Sequence, residues 1–448
     1  MGIWFKGGLY NSFLHLFSLL FSMTACPDYL KITLKPSGPH VSIDPHEPSF
    51  VQNPYAAYAA LFEAGHPVFF WEEYGIWCLA GFDAVNTLFR DRRFGRQILH
   101  VASRDELGWP ERPAHLQNFD DVERHSLLEL EPPNHTRLRK LVNRAFVSRQ
   151  VELLRPQITD LCNRLIDDFG DKTELLGDYA TPLPLTTICR LLGVPVEAGQ
   201  QLLDWSHAIV KMYVLDPSHE DELAADKASK DFADFLRHHI HQHKESPQDD
   251  LLSTLIAATE DGDRLTEDEL ISTIVVLLNA GHEATVHQLG NAVKTILESG
   301  VSPSKLFESD ASTIATVEEC LRHDAPLHMF TRYCLDDLTL EIDGASIDLK
   351  KGQQIGLLLG AANRDPRKFD APGQFNPERS FQGNVSFGAG IHFCIGAPLA
   401  RLELQIGLRT LFERFPDLAL CEEPHYRDIF HFHGLDKVLI SQTTKRYL

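Results

Sequence analysis

Residues 387–398 run Phe387-Gly388-Ala389-Gly390-Ile391-His392-Phe393-Cys394-Ile395-Gly396-Ala397-Pro398. Gly388 and Gly390 permit positive φ and let the backbone approach a flat ligand closely. Pro398 suits the first turn of a helix, where a missing N–H costs little. Leu399, Leu402, Ile406, Leu411 and Phe415 carry that helix forward at helical period until Pro416 stops it. Cys394 therefore stands just ahead of a helix N-terminus, whose orphan N–H groups and positive dipole end favour a thiolate. Taken alone, such a cysteine is either a buried apolar residue in a glycine turn or a thiolate ligand. A dinucleotide fingerprint is excluded, because Gly388-Ala389-Gly390 lacks the third glycine at the required spacing.

Other chemically pointed segments precede this loop in order. Pro132-Pro133-Asn134-His135-Thr136-Arg137-Leu138-Arg139 is a proline-led helix start. Thr266-Glu267-Asp268-Glu269 is a capping box. The helix it opens runs through Leu270, Ile271, Ile274, Val275, Leu277 and Leu278 to near Gly300, about 50 Å at 1.5 Å per residue. Its apolar run breaks at Asn279-Ala280-Gly281-His282-Glu283-Ala284-Thr285. Small residues there admit a ligand to the backbone, and a carboxylate in an apolar helix suggests proton handling. The plainer alternative is a core helix with an incidental polar turn. Glu319-Cys320-Leu321-Arg322 sets an acid and a base on one helical face, where they can pair. Arg332 opens an apparent strand, and its guanidinium can hold a carboxylate in bidentate fashion. Phe375-Asn376-Pro377-Glu378-Arg379 follows.

In this order, and spread from about Asn53 to Leu439, the segments resemble the cytochrome P450 family, in its soluble, bacterial-type form. The resemblance implies haem b (iron protoporphyrin IX) with Cys394 as the axial metal ligand. Its electron-rich thiolate would promote O–O cleavage. It also implies that Phe387 and Gly396 flank the sulfur and that His135, Arg139, Arg332 and His392 meet the haem propionates. Glu319 and Arg322 would lock to Arg379. Two departures stand out. The family often has His where this chain has Asn384, so one propionate contact should be weaker. Glu283 matches the family's catalytic acid, but Ala284 fills the position of its alcohol and cannot donate a hydrogen bond. Thr285, rotated by about 100°, should not substitute. A substrate hydroxyl or an ordered water is expected to take the alcohol's place; otherwise the enzyme leaks peroxide. By position, the substrate pocket should draw on Leu278, Ala280, Gly281, Leu327, Met329 and Phe430, within the stretches 278–281, 327–330 and 430–432, with further walls from 97–123 and 210–215.

The remaining features bound the reading. The chain has 448 residues, 43% hydrophobic, and a net charge of -21, which argues against nucleic-acid binding. Its eight cysteines show no CxxC or zinc-like spacing, which suggests a reducing compartment, the cytoplasm. No flavin or iron–sulfur motif appears, so electrons must come from NAD(P)H through a ferredoxin or flavodoxin and its reductase. Arg137, Arg139, Lys140, Arg144 and Arg149 form a basic run without an acid from Asn134 to Gln150. It reads either as a solvated, propionate-binding face or as a docking face for an acidic redox partner.

Residues 1–27 hold an apolar run, Phe13 to Phe21, too short to span a bilayer well. They read as a leader, a peripheral anchor or an upstream start before Met23. Residues 28–448 should form a single, monomeric domain, mainly α with a small β-sheet subdomain (α+β). Val68–Trp71, Gly75–Leu79, Leu338–Ile342 and 354–359 read as strands, 436–442 as an edge strand, and 36–54 as an irregular entry strand or loop. The function expected is hydroxylation or epoxidation of an apolar small molecule, with terpenoids, fatty acids, polyketides and aromatics all open. The alternatives are a peroxide-driven or isomerising haem-thiolate enzyme and a non-catalytic haem sensor or electron carrier.

Overall fold

A computed structural model describes residues 26–145, 151–213, 217–260, 263–380 and 383–442. The N-terminal apolar run, Arg149 of the basic run and the end of the 210–215 pocket wall lie outside these residues.

The helices that matter for the site are α1 (Asn134–Ala145), α2 (His219–Glu245), α3 (Glu267–Ser299), α4 (Asp310–His323) and α5 (Ala397–Arg414). Helix α3 is the spine. Thr266 caps it reciprocally with Glu269, the Thr266 hydroxyl accepting from the Glu269 N–H and the Glu269 carboxylate from the Thr266 N–H. Gly300, with φ of 70°, ends it in the left-handed conformation, where a glycine carries no Cβ penalty. Between those caps α3 is buried almost all round, as a helix at the centre of a core must be. It packs against α4, α5 and the helices Pro182–Leu191 and Gly199–Val210.

A seven-stranded sheet stands beside the helices. Its strands are β1 (Lys31–Lys35), β2 (Gly38–Ser42), β3 (Val68–Trp71), β4 (Ile76–Leu79), β5 (Phe94–Gly95), β6 (Met329–Cys334) and β7 (Gln354–Leu358), in spatial order β1-β2-β3-β4-β7-β6-β5. β7 is the hinge of the register, parallel to β4 with Ile355 opposite Trp77 and antiparallel to β6 with Ile355 opposite Arg332. Among the described residues no helix is long and apolar enough to cross a membrane.

Residues 36–54, expected as an irregular entry strand or loop, contain the strand β2 and also a short helix, Pro48–Gln52. Pro39 is what hides the strand's regularity, and it lies outside the β2–β3 ladder, which uses only His40 and Val41. The tail strand, Leu439–Ser441, is central and not an edge, lying between Ala419–Leu420 and Lys172–Glu174.

Candidate active site at the cysteine loop

The loop before α5 is shaped by its glycines. Gly388 and Gly390 have φ of 66° and 73°. A Cβ on Gly390 would lie 2.3 Å from the Phe89 carbonyl oxygen, so no other residue fits. The Cys394 N–H closes the loop by donating to the Phe387 carbonyl at 3.0 Å. The Arg401 guanidinium lies 4.4 Å from the centre of the Phe387 ring. Burial pushes the Cys394 thiol up, while the N–H groups of Gly396 and Ala397 and the charges of Arg139 and Arg401 pull it down. The net direction is up. The helix end alone therefore does not make this thiol acidic; a cation on the sulfur would.

Beside the loop lies a group of cationic and imidazole side chains with too few partners. His135 is 2% exposed, and neither of its ring nitrogens has a hydrogen-bond partner. Burial, helped by His392 and Arg139, takes it down to about 4. The His392 ring lies 4.4 Å away; its Nε2 meets Glu131 at 3.1 Å and its Nδ1 meets nothing. Arg332 is 5% exposed. Its guanidinium donates to the Thr331 carbonyl at 2.8 Å and sits over the Phe89 ring, with no ion pair among the described residues. Burial pulls it down to about 9. Arg139 donates to the Phe393 carbonyl at 2.6 Å. Buried cations without anions are costly, so the group fits a ligand that brings carboxylates of its own.

Across from this group, α3 shows a gap in its burial. Every residue from Glu269 to Asn279 and from Thr285 to Val293 is buried, yet Ala280 is exposed and Gly281, Glu283 and Ala284 are half-buried. Ala280 and Ala284, four apart, share one helical face, and Thr285 lies on another. The helix itself is unbroken here. Glu283 is 3.8 Å from His287 Nε2. Burial raises its carboxyl, but the nearby imidazole of His287, with those of His207 and His282, outweighs it and holds the group below its ordinary value.

The family profile described as Cytochrome P450 matches residues 312–447. Polyketide biosynthesis cytochrome P450 PksS of Bacillus subtilis is 34% identical over 409 residues, covering 89% of this chain and 98% of the relative. The chain belongs to the cytochrome P450 family. Vitamin D(3) 25-hydroxylase of Pseudonocardia autotrophica is 35% identical over 404 residues, covering 88% of this P450 and 94% of the relative. A solved structure of P450BioI with a hexadec-9Z-enoic acid ligated acyl carrier protein is 33% identical, with a TM-score of 0.79 over 88% of this chain and 99% of that one. The present P450 is thus an oxidoreductase of the monooxygenase kind, with haem as cofactor. Haem, flat, iron-bearing and dianionic at its propionates, fits the glycine-framed Cys394 loop, and beside it His135, without a hydrogen-bond partner among the described residues, and Arg332, without an ion pair among them.

The remaining expected residues of the P450 fall into place unevenly. Glu319 takes Arg322 in bidentate fashion at 2.7 and 2.8 Å. Arg379 joins the same carboxylate at 3.0 Å. Both guanidiniums spend their other donors on carbonyls, Arg322 on Asn363 and Pro372 and Arg379 on Asp370. Asn384 points elsewhere than the cationic group, donating to Glu318 at 2.9 Å. In the basic run, Arg137 is already taken by Asp263 and Glu269.

The residues expected at the pocket have the following surroundings. Leu278 belongs to the helical core, and Leu327 is bridged to Phe432. Met329 and Phe430 belong to an apolar cluster with Phe50 and Trp71, because alternation along β6 sends Met329 to the face opposite Arg332. Phe330, within the stretch 327–330 expected at the pocket, shares the Arg332 face and meets the Phe89 ring. Glu131 was missed. It accepts from the Arg96 N–H at 2.6 Å and faces His392.

Proposed function

We propose that this P450 uses O2 and two electrons supplied from outside to hydroxylate or epoxidise an apolar small molecule lying against Ala280, Gly281, Ala284 and Phe330. The observation that carries the reading is the gap in α3 burial, a small-residue opening with a retained acid on its margin. Cys394 would hold the haem iron, while His135, Arg139, Arg332 and His392 would hold its propionates. When bound, haem supplies the oxygen-activating chemistry that the side chains lack. Glu283, poised as an anion against His287 Nε2, takes a proton at its carboxylate and releases it toward the opening. Ala284 adds no hydroxyl, so a substrate hydroxyl or an ordered water completes the proton route.

NAD(P)H would reach the enzyme through a reductase and an acidic ferredoxin or flavodoxin docking at α1, where Lys140 is exposed. All eight cysteines are free, in keeping with work in a reducing cytoplasm, and residues 28–448 would act as one monomeric unit. The PksS and vitamin D(3) 25-hydroxylase relatives point toward bulky polyketide-like or sterol-like scaffolds. The P450BioI complex supports a second reading, a substrate carried on an acyl carrier protein.

Titration of the ferric protein with such scaffolds should give a low-to-high-spin absorbance shift for one class, and turnover with a surrogate ferredoxin and reductase should then yield an oxygenated product. Turnover sustained by hydrogen peroxide alone, and not by the reductase system, would replace the electron-transfer reading. Ala284→Thr should change the ratio of product to released peroxide; an unchanged ratio would sink the proton-route assignment.

A further inference from the structure

Three metal-ligand side chains meet near the start of α2. His115 lies in the short turn Ala114–Leu116, while His219 and Glu222 are in the first turns of α2. His219 and Glu222 are three residues apart and so share a helical face. His115 Nε2 is 2.9 Å from Glu222 Oε2, and His219 Nδ1 is 3.3 Å from the same oxygen. The two imidazoles stand edge to face, with ring centres 4.8 Å apart, and all three ligand atoms lie within 4.8 Å of one another. Zinc binds nitrogen and carboxylate oxygen at about 2.0–2.2 Å in a tetrahedron, which sets its ligand atoms roughly 3.3 Å apart. Both nitrogen–oxygen separations already lie within a few tenths of an ångström of that spacing.

We propose that His115, His219 and Glu222 form a Zn2+ site that staples the turn Ala114–Leu116 and the helix after it, Gln117–Glu123, to α2. One carboxylate oxygen shared by two imidazoles is an arrangement from which a surface ion pair gains little and which a divalent ion uses fully. The side chain of His219 is 70% exposed, leaving the fourth position to water. Glu220 and Asp221 precede Glu222 and offset the positive end of the helix; Lys211 pairs with Asp221 at 2.9 Å. Two nitrogens and one oxygen form a donor set that suits zinc among the available divalent ions. The ligands span 107 positions of sequence, so the ion would add a metal bridge between segments that already pack through apolar side chains and are joined by Asp226. That carboxylate accepts from the backbone and side chain of Asn118 at 2.7 Å and from the Phe119 N–H at 3.1 Å. This segment is one of the expected walls of the pocket, and a staple here would slow its parting from α2. No residue of the haem cradle takes part, so the site stands or falls independently of the oxygenase reading.

Equilibrium dialysis of the untagged, haem-loaded protein against Zn2+ should give an uptake that falls by one ion per chain, or weakens ~10-fold or more, in His115→Ala and Glu222→Gln. Co2+ should give a tetrahedral visible spectrum in the parent protein and not in the variants. His219→Ala, at a mostly exposed position, provides a second test should either variant fold poorly. Zn2+ should also slow hydrogen exchange across 114–123 in the parent protein and leave His219→Ala unchanged. Metal uptake and spectra identical in parent and variants would overturn the site; uptake lost without any change in exchange would overturn the staple.

Discussion

Two clusters of buried basic side chains lie within this P450, and they are built on opposite terms. Around Glu319, the guanidiniums of Arg322 and Arg379 share one carboxylate and spend their remaining donors on carbonyl oxygens. Around the cysteine loop, His135 has no partner on either nitrogen and Arg332 has no ion pair among the described residues. Burial alone is common to both. A closed cluster of this kind holds segments together, whereas an open one keeps its hydrogen-bonding capacity for something that arrives later. The contrast separates a structural motif from a ligand cradle without reference to sequence similarity.

The contrast breaks most visibly if the closed cluster is opened. Glu319→Ala leaves two guanidiniums buried without an anion and should cost about 3–5 kcal/mol, seen as a lower urea midpoint with or without haem. A loss confined to the haem-bound protein would mean that the cluster serves the cofactor. Next in size is Arg332→Met. It removes an uncompensated cation, so the haem-free protein should be unchanged or more stable. Haem should nonetheless transfer to apomyoglobin about 10–100-fold faster, as expected from ~1.5–3 kcal/mol for hydrogen bonds to a charged group. Equal transfer rates would refute the cradle.

The smallest effect is one of pH. Burial holds His135 neutral in the fold, down to about 4 from an ordinary 6.5. The unfolded chain therefore binds more protons between these values, and the stability of the haem-free protein should fall as pH drops from about 6.5 toward 4. His135→Phe should flatten that slope in urea titrations, and bound haem should also reduce it, since propionates stabilise the imidazolium.

Much of this was readable from the sequence where the chemistry is local. The glycines around Cys394, the Thr266–Glu269 capping box, Gly300 and the pairing of Glu319 with Arg322 are all set by neighbours within a few residues. What escaped was set by distant partners or by phase. Arg137 looked available because Asp263 and Glu269, more than a hundred residues away, are invisible to local reading. Alternation sets Met329 and Arg332 on opposite faces of β6, but which face meets the helices follows only from the pairing of β6 with β7. Leu439–Ser441 alternates like an edge strand, yet two other short strands cover it on either side.

Helix α3 is the main beam of the helical core and, in the function proposed above, also a wall of the reaction chamber, and that double duty would set where the enzyme can be reshaped. At Ala280 and Ala284 the beam is open, so larger side chains there would change the chamber while leaving the interior intact. One step aside, at Asn279 or Thr285, the same enlargement would be driven into close-packed neighbours and cost about 1–3 kcal/mol. Directed evolution of selectivity in this P450 should therefore find its tolerated mutations on this helix at Ala280 and Ala284, one turn apart.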